Sequence, residues 1–179
     1  MYRYSDNSYD QFYTNLDIAK QCIDSIDITK YDVVIEPSAG NGSFYNQINH
    51  KYKIGFDIKP ECDGVHKQDF LKYKHPFTSK NLSFMESNLN RKPKILTIGN
   101  PPWGVRGQLA LEFINHSFKF SDTVAFILPI YFDPKAELPE QAVRPNYEII
   151  NCINLPDYGF NYNGKSVSLG SVFITYKKY

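Results

Sequence analysis

The chain has 179 residues, a length that fits one domain with a substantial buried core. Its content of 42% hydrophobic and 22% charged residues is that of an average globular protein, which excludes a disordered chain. Twenty basic and nineteen acidic residues leave a net charge of +1, so the protein as a whole does not attract nucleic acid. Any such attraction must come from a local patch of charge.

The cysteines and histidines are scattered and form no pattern typical of a disulfide framework or a metal site. The three cysteines lie far apart without CxxC spacing, and the four histidines form neither HxH nor HExxH. No stretch reaches the roughly 18 apolar residues of a membrane span, and the first residues lack the apolar core of a signal peptide. We therefore expect neither a metal ion nor a membrane anchor.

Apolar residues at helical spacing alternate with short apolar runs along the chain. The helical patterns lie at residues 15–28 and 108–118, and 43–48 can begin another helix. The predicted strands lie at 33–35, 52–57, 65–71, 94–99, 123–128, 147–155 and 171–177. Among them 65–71 is weak, and the last two form an antiparallel hairpin joined by a polar loop.

Strands that alternate with helices imply a mostly parallel sheet with helices on both faces. The sequence therefore predicts an α/β fold whose seven-stranded sheet closes with a C-terminal antiparallel hairpin. Ligands of such sheets bind at the carboxyl ends of the strands. We expect a single domain over residues 1–179.

A glycine loop, EPSAGNGSF, follows the first strand of the predicted parallel sheet. Gly40 and Gly42 allow a ligand to approach the backbone closely, although two glycines alone are not specific. Tyr45 stands where a dinucleotide-binding loop has its third glycine, and the Glu36 carboxylate would repel a pyrophosphate. A carboxylate suits instead a cofactor that carries an ammonium and a sulfonium group.

Two acidic residues follow the next predicted strands. Asp57 ends the second strand, where an acidic side chain can bind the two ribose hydroxyls of a nucleoside, although it could also form the turn that follows. Asp69 and Phe70 follow the weak third strand. The Asp69 carboxylate could accept a hydrogen bond from an adenine amine while the Phe70 ring packs on the base. A surface turn explains Asp69 equally well.

The strand at 94–99 is followed by Asn100-Pro101-Pro102-Trp103, where a parallel sheet presents its catalytic groups. Two successive prolines fix φ twice and remove two backbone donors. By hypothesis, the side-chain oxygen of Asn100 and the carbonyl of Pro101 accept hydrogen bonds from an adenine amino group, which can then attack a sulfonium methyl group. Trp103 offers a face for the base, although a rigid turn with a core tryptophan would have the same sequence.

Both motifs together resemble those of the amino-group DNA methyltransferases, the N6-adenine enzymes of restriction–modification systems and their viral relatives. QFYTNLDIA, EPSAGNGSF, GFDIKP, QDF and NPPW follow in that family's order over most of the chain. The resemblance implies a Rossmann-like methyltransferase fold and S-adenosylmethionine as the cofactor. It implies catalytic roles for Asn100, Pro101, Pro102 and Trp103, and a cofactor site made of Phe12, Tyr13, Thr14, Glu36, Pro37, Ala39, Gly40, Gly42, Asp57, Ile58, Asp69, Phe70 and Asn100.

The resemblance also implies an aromatic residue that packs on a flipped-out base. Phe160 stands at the similar place before the final strand, with Tyr158 and Tyr162 as competitors, although an aromatic hairpin tip could simply pack on the sheet. The basic residues of 72–94 are candidates for phosphate contact, or they form a solvated loop. The predicted substrate-binding residues are therefore Trp103, Phe160, Lys72, Lys74, Arg91 and Lys92.

Members of that family usually carry a target-recognition domain, whereas here the methyl-transfer core takes up nearly the whole chain. We therefore expect no separate recognition domain. Flipping an adenine out of a duplex is costly for so small a surface. The consequences we expect are weak sequence specificity, a preference for single-stranded or distorted substrate, or a recognition subunit or homo-oligomer.

The sequence thus predicts N6-adenine methylation of nucleic acid, with DNA favoured over RNA by the amino-terminal FYT motif. An RNA adenine methyltransferase would use the same NPP chemistry. A protein glutamine methyltransferase also grips an amide nitrogen with NPP, but the basic stretch and the aromatic loop disfavour it. A third alternative, an inactive subunit with the cofactor-binding fold, is disfavoured by intact Gly40, Gly42, Asp57 and Asn100. We expect a cytoplasmic protein or, if it is viral, one in the host-cell compartment that holds the nucleic acid.

Overall fold

A seven-stranded sheet runs through the computed structural model, which describes residues 12–74, 87–136 and 147–179. The described strands are β1 (Tyr13–Thr14), β2 (Val33–Glu36), β3 (Lys53–Asp57), β4 (Val65–Lys67), β5 (Ile95–Gly99), β6 (Thr123–Pro129), β7 (Tyr147–Asn154), β8 (Phe160–Tyr162), β9 (Lys165–Val167) and β10 (Ser171–Lys178). The large sheet has the order β4-β3-β2-β5-β6-β10-β7. Strands β4 to β6 in this order are parallel, and β10 lies antiparallel between β6 and β7. The predicted α/β fold is therefore confirmed, including its C-terminal antiparallel hairpin.

Helices cover both faces of this sheet, as predicted. Helix α1 (Leu16–Asp24) lies on one face and helix α2 (Gln108–Ser117) on the other. Strand β2 serves both layers, because Val33 and Ile35 pack on the α2 side while Val34 packs on the α1 side. Burial on both faces explains why the central strands β2 and β6 are mostly apolar, whereas the edge strand β4 is largely exposed.

The helix predicted at 43–48 is only a 3-10 turn, Tyr45–Gln47. Serine, asparagine and aromatic residues are weak helix formers, and this segment consists mostly of them. The Asn41 side chain also accepts hydrogen bonds from the backbone N–H of Ser43 at 3.1 Å and from its hydroxyl at 2.8 Å. Such local bonds compete with the helical ones. The connection from β2 to β3 is therefore a packed loop.

The polar loop predicted between the last two strands contains the hairpin β8–β9. Its turn has Asn163 and Gly164 at φ 49° and 74°, the Asn-Gly pair favoured in two-residue hairpins. Strand β1 pairs antiparallel with β8, which makes a separate three-stranded sheet. The weak strand predicted at 65–71 is also shorter than expected, since β4 ends at Lys67 and a 3-10 turn follows at Phe70–Lys72.

Candidate active site

Glu36 is the last residue of β2, a central strand of the large sheet, and is buried with 2% of its surface exposed. Its Oε2 has no hydrogen-bond partner among the residues that the structure describes. Burial, and to a smaller extent the nearby Asp57 carboxylate, raise the pKa of Glu36 to about 8, against the opposing effects of the Tyr45 backbone and Lys53. A cation bound beside Glu36 would donate the missing hydrogen bond to Oε2 and would lower the free-energy cost of ionising the buried carboxyl group.

The glycine loop after β2 is tied to the end of β3 by the Asp57 carboxylate. Oδ2 of Asp57 accepts the backbone N–H of Gly40 at 2.8 Å, and Oδ1 accepts that of Lys59 at 2.7 Å. Each carboxylate oxygen can accept a further hydrogen bond. Gly40 has φ 51° and its position is open, because an added Cβ would meet only the Tyr13 ring, at 3.5 Å. This arrangement leaves backbone and carboxylate accessible to a ligand with hydroxyl groups.

The amino-terminal segment 12–14 lies beside this loop, because the Tyr13 ring is the group nearest to Gly40. The Tyr13 hydroxyl donates a hydrogen bond of 2.7 Å to Glu61, and burial together with that carboxylate raises its pKa to about 12. The Phe12 ring packs on the Tyr162 ring with centroids 5.2 Å apart. The structure therefore brings β1, the glycine loop and the β8–β9 hairpin together.

Asn100 follows β5, the neighbour of β2, and both its backbone and its side chain are held. Its carbonyl accepts the Ser38 hydroxyl at 3.0 Å. Its Nδ2 donates to Oγ1 of Thr14 at 3.1 Å and to the Phe12 carbonyl at 3.5 Å. Its Oδ1 is buried and has no hydrogen-bond partner in the described part of the chain. The site therefore holds a second unpaired acceptor besides Oε2 of Glu36.

Trp103 closes the NPPW segment and joins the site to the core. Its Nε1–H donates to the Ile127 carbonyl at 3.2 Å, and its ring meets Phe160 edge to face at 5.8 Å. Its carbonyl accepts the backbone N–H groups of Leu109 and Ala110 at the start of α2. Trp103 is half-buried, whereas Pro101 is buried. The segment is thus rigidly attached to β6 and α2.

Two predicted aromatic contacts need correction, because both rings point into the core. Phe70 is 2% exposed and packs among Phe56, Phe113 and Phe120. Phe160 has no exposed surface and belongs to the apolar layer on the α1 side. Neither ring offers a free face to a base. Tyr158 and Tyr162, which are 66% and 40% exposed, are the aromatic residues of that hairpin region that face solvent.

The remaining predicted cofactor residues lie at the carboxyl edge of the sheet with different exposures. Pro37, Ala39 and Gly42 are buried in the loop after β2, whereas Ile58 is 43% exposed. Asp69 caps the 3-10 turn after β4 by accepting the N–H of Leu71 at 3.0 Å. This position supports the alternative interpretation of Asp69 as part of a turn. Its contact with adenine stays a prediction.

The predicted phosphate contacts do not gather at the site. Arg91 forms an ion pair with Asp32 at 2.6 Å, and the guanidinium lowers the pKa of that carboxyl. Both residues precede their strands, so Arg91 and the exposed Lys92 lie at the edge opposite Asn100. Arg91 therefore has a structural partner that the sequence did not reveal.

The other two basic residues lie on the stretch that leaves the site after β4. Lys72 pairs with Asp69 at 3.3 Å, and Lys74 is exposed. Tyr73, which lies between them in the sequence, has its carbonyl hydrogen-bonded by His116 in the last turn of α2. That turn lies at the edge of the sheet opposite the site, so the stretch runs away from the site. The basic residues of the stretch at 75–86 lie outside the described residues.

Two residues of the site were not predicted. The Ser38 hydroxyl holds the Asn100 backbone, and Glu61 binds Tyr13. Ser38 lies within the glycine loop motif, but nothing in its spacing indicates a partner 62 positions away. Within the described residues, we find no cluster of three or more His, Cys, Asp or Glu side chains suited to a metal ion, and no helix long and apolar enough to cross a membrane.

Comparisons with known proteins define the fold. No protein-family model matches the chain, and no curated protein matches its sequence. A candidate RNA methyltransferase from Pyrococcus horikoshii has a TM-score of 0.61 at 15% identity, over 94% of this chain and 87% of that one. The N-methyltransferase NodS from Bradyrhizobium japonicum, solved with S-adenosyl-L-homocysteine, has a TM-score of 0.56 at 10% identity, over 97% and 93%.

A further solved structure is much longer than this chain. The modification subunit of a candidate type I restriction enzyme from Vibrio vulnificus has a TM-score of 0.57 at 15% identity. The match covers 94% of this chain but spans only 44% of the subunit. The chain therefore has a Rossmann-like methyltransferase fold, and at these identities the likeness defines the fold alone.

Proposed function

We propose that the chain is an S-adenosylmethionine-dependent methyltransferase that acts on the N6 amine of adenine in nucleic acid, with DNA as the first candidate substrate. The Asn100 side chain carries the proposal. Its nitrogen is occupied by Thr14 and Phe12, while its buried Oδ1 lacks a donor among the described residues. A buried acceptor without a donor is costly. An amino group of the substrate would supply that donor.

The groups beside the glycine loop suit S-adenosylmethionine. Oε2 of Glu36 would bind its ammonium group, which supplies the missing hydrogen bond and favours the ionised carboxylate. The Asp57 carboxylate has acceptor capacity left for the ribose hydroxyls. The fold is also that of NodS, which was solved with the demethylated form of this cofactor.

The reaction that we propose depends mainly on positioning. When bound, S-adenosylmethionine supplies a methyl group whose bond to sulfur breaks, with the electron pair staying on sulfur. Oδ1 of Asn100 and the Pro101 carbonyl each accept one N–H of the adenine amine, which directs its lone pair at the methyl carbon. Both hydrogen bonds strengthen as positive charge develops on the nitrogen. The surplus proton then passes to water, so no separate base is required before transfer.

RNA is the second candidate substrate, and one observation favours it. The fold is also that of the candidate RNA methyltransferase from Pyrococcus horikoshii, over 94% of this chain and 87% of that one. The same Asn100 and Pro101 acceptors would serve either nucleic acid, because they contact the base and not the sugar. We further propose weak sequence specificity, or a recognition subunit or second copy that supplies it.

The test combines cofactor binding with product analysis. S-adenosylmethionine binding is measured by calorimetry, and the protein is then incubated with single-stranded DNA, duplex DNA and RNA of one sequence. Digestion and mass spectrometry quantify N6-methyladenine. Asn100→Ala should lower product formation at least about 100-fold, whereas Asn49→Ala, an exposed asparagine away from the site, should not.

Each outcome of this test has a defined meaning. The nucleic acid that gives most product identifies the substrate. Cofactor binding without N6-methyladenine on any of the three would refute adenine methylation by the chain acting alone. Absence of S-adenosylmethionine binding would refute the methyltransferase assignment itself.

A further inference from the structure

We infer that Thr14 is a positioning residue that holds the Asn100 side chain in the orientation selected by the Phe12 carbonyl, in which Oδ1 and not Nδ2 faces the substrate amine. The catalytic consequence rests on the proposed function, but the contact itself does not. This role differs from the methionine contact that the family resemblance implied for Thr14. This role connects the three-stranded sheet, which contains Thr14, to the proposed catalytic residue Asn100.

The orientation of Asn100 matters because its two amide ends are opposite in character. A rotation by 180° exchanges the oxygen, which accepts hydrogen bonds, for the nitrogen, which donates them. A donor facing the substrate amine would meet that amine's own N–H groups. Correct orientation is therefore a condition for catalysis by Asn100.

The contacts on one side of Asn100 select the correct orientation. Oγ1 of Thr14 lies 3.1 Å and the Phe12 carbonyl 3.5 Å from Nδ2. A carbonyl oxygen can only accept, so the end of the amide that faces it must be the nitrogen. The Thr14 hydroxyl can donate or accept, so the Phe12 carbonyl selects the orientation and the shorter Thr14 bond holds it. Without the Thr14 hydroxyl only a marginal bond remains. Oδ1 then faces the opposite side, where it is buried without a partner among the described residues.

Thr14 is itself held in place. It is 5% exposed and pairs with Phe160 across β1 and β8. The adjacent Asn15 accepts a short hydrogen bond from the Asn161 side chain and donates from its backbone to Gly159 at 2.9 Å. On the other side, Ser38 holds the Asn100 carbonyl at 3.0 Å. Both partners of the Thr14–Asn100 bond are thus anchored independently.

The kinetic experiment compares Thr14→Val, Thr14→Ser and a control in the full chain. Valine keeps the shape of threonine and removes the acceptor, whereas serine keeps the hydroxyl. The control is Thr175→Val, because Thr175 is also buried and its hydroxyl has no partner in the described residues. Thr14→Val should lower kcat about ten-fold while the Kd of S-adenosylmethionine stays within about three-fold. Thr14→Ser should recover most of the loss, and Thr175→Val should resemble wild type.

The alternative role gives a different result. If Thr14 contacts the cofactor, Thr14→Val raises that Kd and saturating S-adenosylmethionine restores kcat, which would overturn the inference. An unchanged kcat, or no recovery with serine, would overturn it as well.

A spectroscopic experiment tests the contact without methylation. The side-chain amide signals of asparagine are observed by NMR after selective ¹⁵N labelling, and Asn100→Ala identifies the pair that belongs to Asn100. This pair should exchange slowly and shift in Thr14→Val but not in Thr14→Ser. If the wild-type chain shows no methyltransferase activity, this measurement still decides on the contact. An Asn100 pair that exchanges as fast as that of exposed Asn49, or that is unaffected in Thr14→Val, contradicts the inference.

Discussion

The backbone N–H of Gly40 donates a hydrogen bond of 2.8 Å to the Asp57 carboxylate. The bond joins the loop after β2 to the end of β3, its neighbour in the sheet. Because the second oxygen of Asp57 holds the Lys59 N–H at 2.7 Å, the carboxylate shapes the loop without any ligand. A change at Asp57 should therefore affect both the fold and the proposed cofactor site.

Replacement of Asp57 by asparagine tests this double role. Asparagine offers one acceptor oxygen in place of two, so one backbone N–H loses its partner. We expect Asp57→Asn to weaken S-adenosylmethionine binding at least about ten-fold and to lower the free energy of unfolding by about 1–2 kcal/mol. Calorimetry and urea denaturation measure the two effects. Asp63→Asn, at an exposed position, should change neither, and an unaltered Kd for Asp57→Asn would argue against the assignment.

Glu36 should make stability depend on pH. Its pKa of about 8 in the folded chain lies above the roughly 4.3 of an unfolded glutamate, so the folded state retains a proton that the unfolded state releases. The resulting stabilisation is complete below about pH 4, decreases as the pH rises and is lost above about pH 8.

The variant Glu36→Gln isolates this effect. Without cofactor, the free energy of unfolding of wild type should fall with rising pH while that of Glu36→Gln does not. The difference between them should therefore grow by at most about 1.4 kcal/mol per pH unit between about pH 5 and 8. Urea denaturation at several pH values provides the measurement. Parallel curves for the two proteins would show that Glu36 does not carry the predicted shift.

Gly107 should tolerate no side chain, because two separate costs coincide there. Gly107 and Gly164 have nearly the same φ, 71° and 74°. A Cβ on Gly107 would lie 2.6 Å from the Phe132 ring, whereas one on Gly164 meets nothing within 4 Å. Alanine should therefore cost about 1 kcal/mol at Gly164, from φ alone, and about 2–4 kcal/mol at Gly107. Thermal or urea denaturation measures the free energy of unfolding of both variants. Equal losses at Gly107 and Gly164 would contradict the close contact with Phe132.

Alanine variants of Phe160 and Tyr162 should distinguish a ring that stabilises the fold from one that contacts the substrate. Phe160→Ala removes a fully buried ring and should cost about 3–5 kcal/mol in the free energy of unfolding. Tyr162→Ala removes a ring that is 40% exposed and packs on Phe12, so we expect a smaller loss of stability than for Phe160→Ala. The KM for nucleic acid should rise at least about five-fold through lost stacking. Steady-state kinetics at saturating cofactor measure the KM. A Tyr162→Ala enzyme with wild-type KM would exclude that stacking role.

The parallel part of the sheet could be predicted because its strands are buried on both faces. The run at 33–35 is apolar throughout and the run at 95–98 is apolar except for Thr97, which is typical of such strands. The small sheet could not be predicted in this way, since β8 and β9 are short and largely polar. Its third strand, β1, comes from the far end of the described chain, and no local pattern indicates that pairing.

The positions of Glu36, Asp57 and Asn100 could be predicted because each ends or follows a strand of one parallel sheet. Side-chain directions could not. An aromatic residue next to a site motif has the same sequence whether its ring faces a ligand or the core, and Phe70 and Phe160 face the core. Arg91 is similar, because its partner Asp32 lies 59 positions away. The catalytic and binding roles of the site residues stay predictions.

The pairing of β1 with β8 determines when the site can form during folding. Asn15 and Asn161, which are hydrogen-bonded beside this pairing, lie 146 positions apart. Closing a loop of that length is a late and entropically costly event. As a nascent chain leaves the ribosome, the parallel strands can assemble before Thr14 has a strand to hold it. The contact that orients Asn100 is therefore among the last to form, and its local opening would release the Asn100 side chain while leaving the large sheet folded.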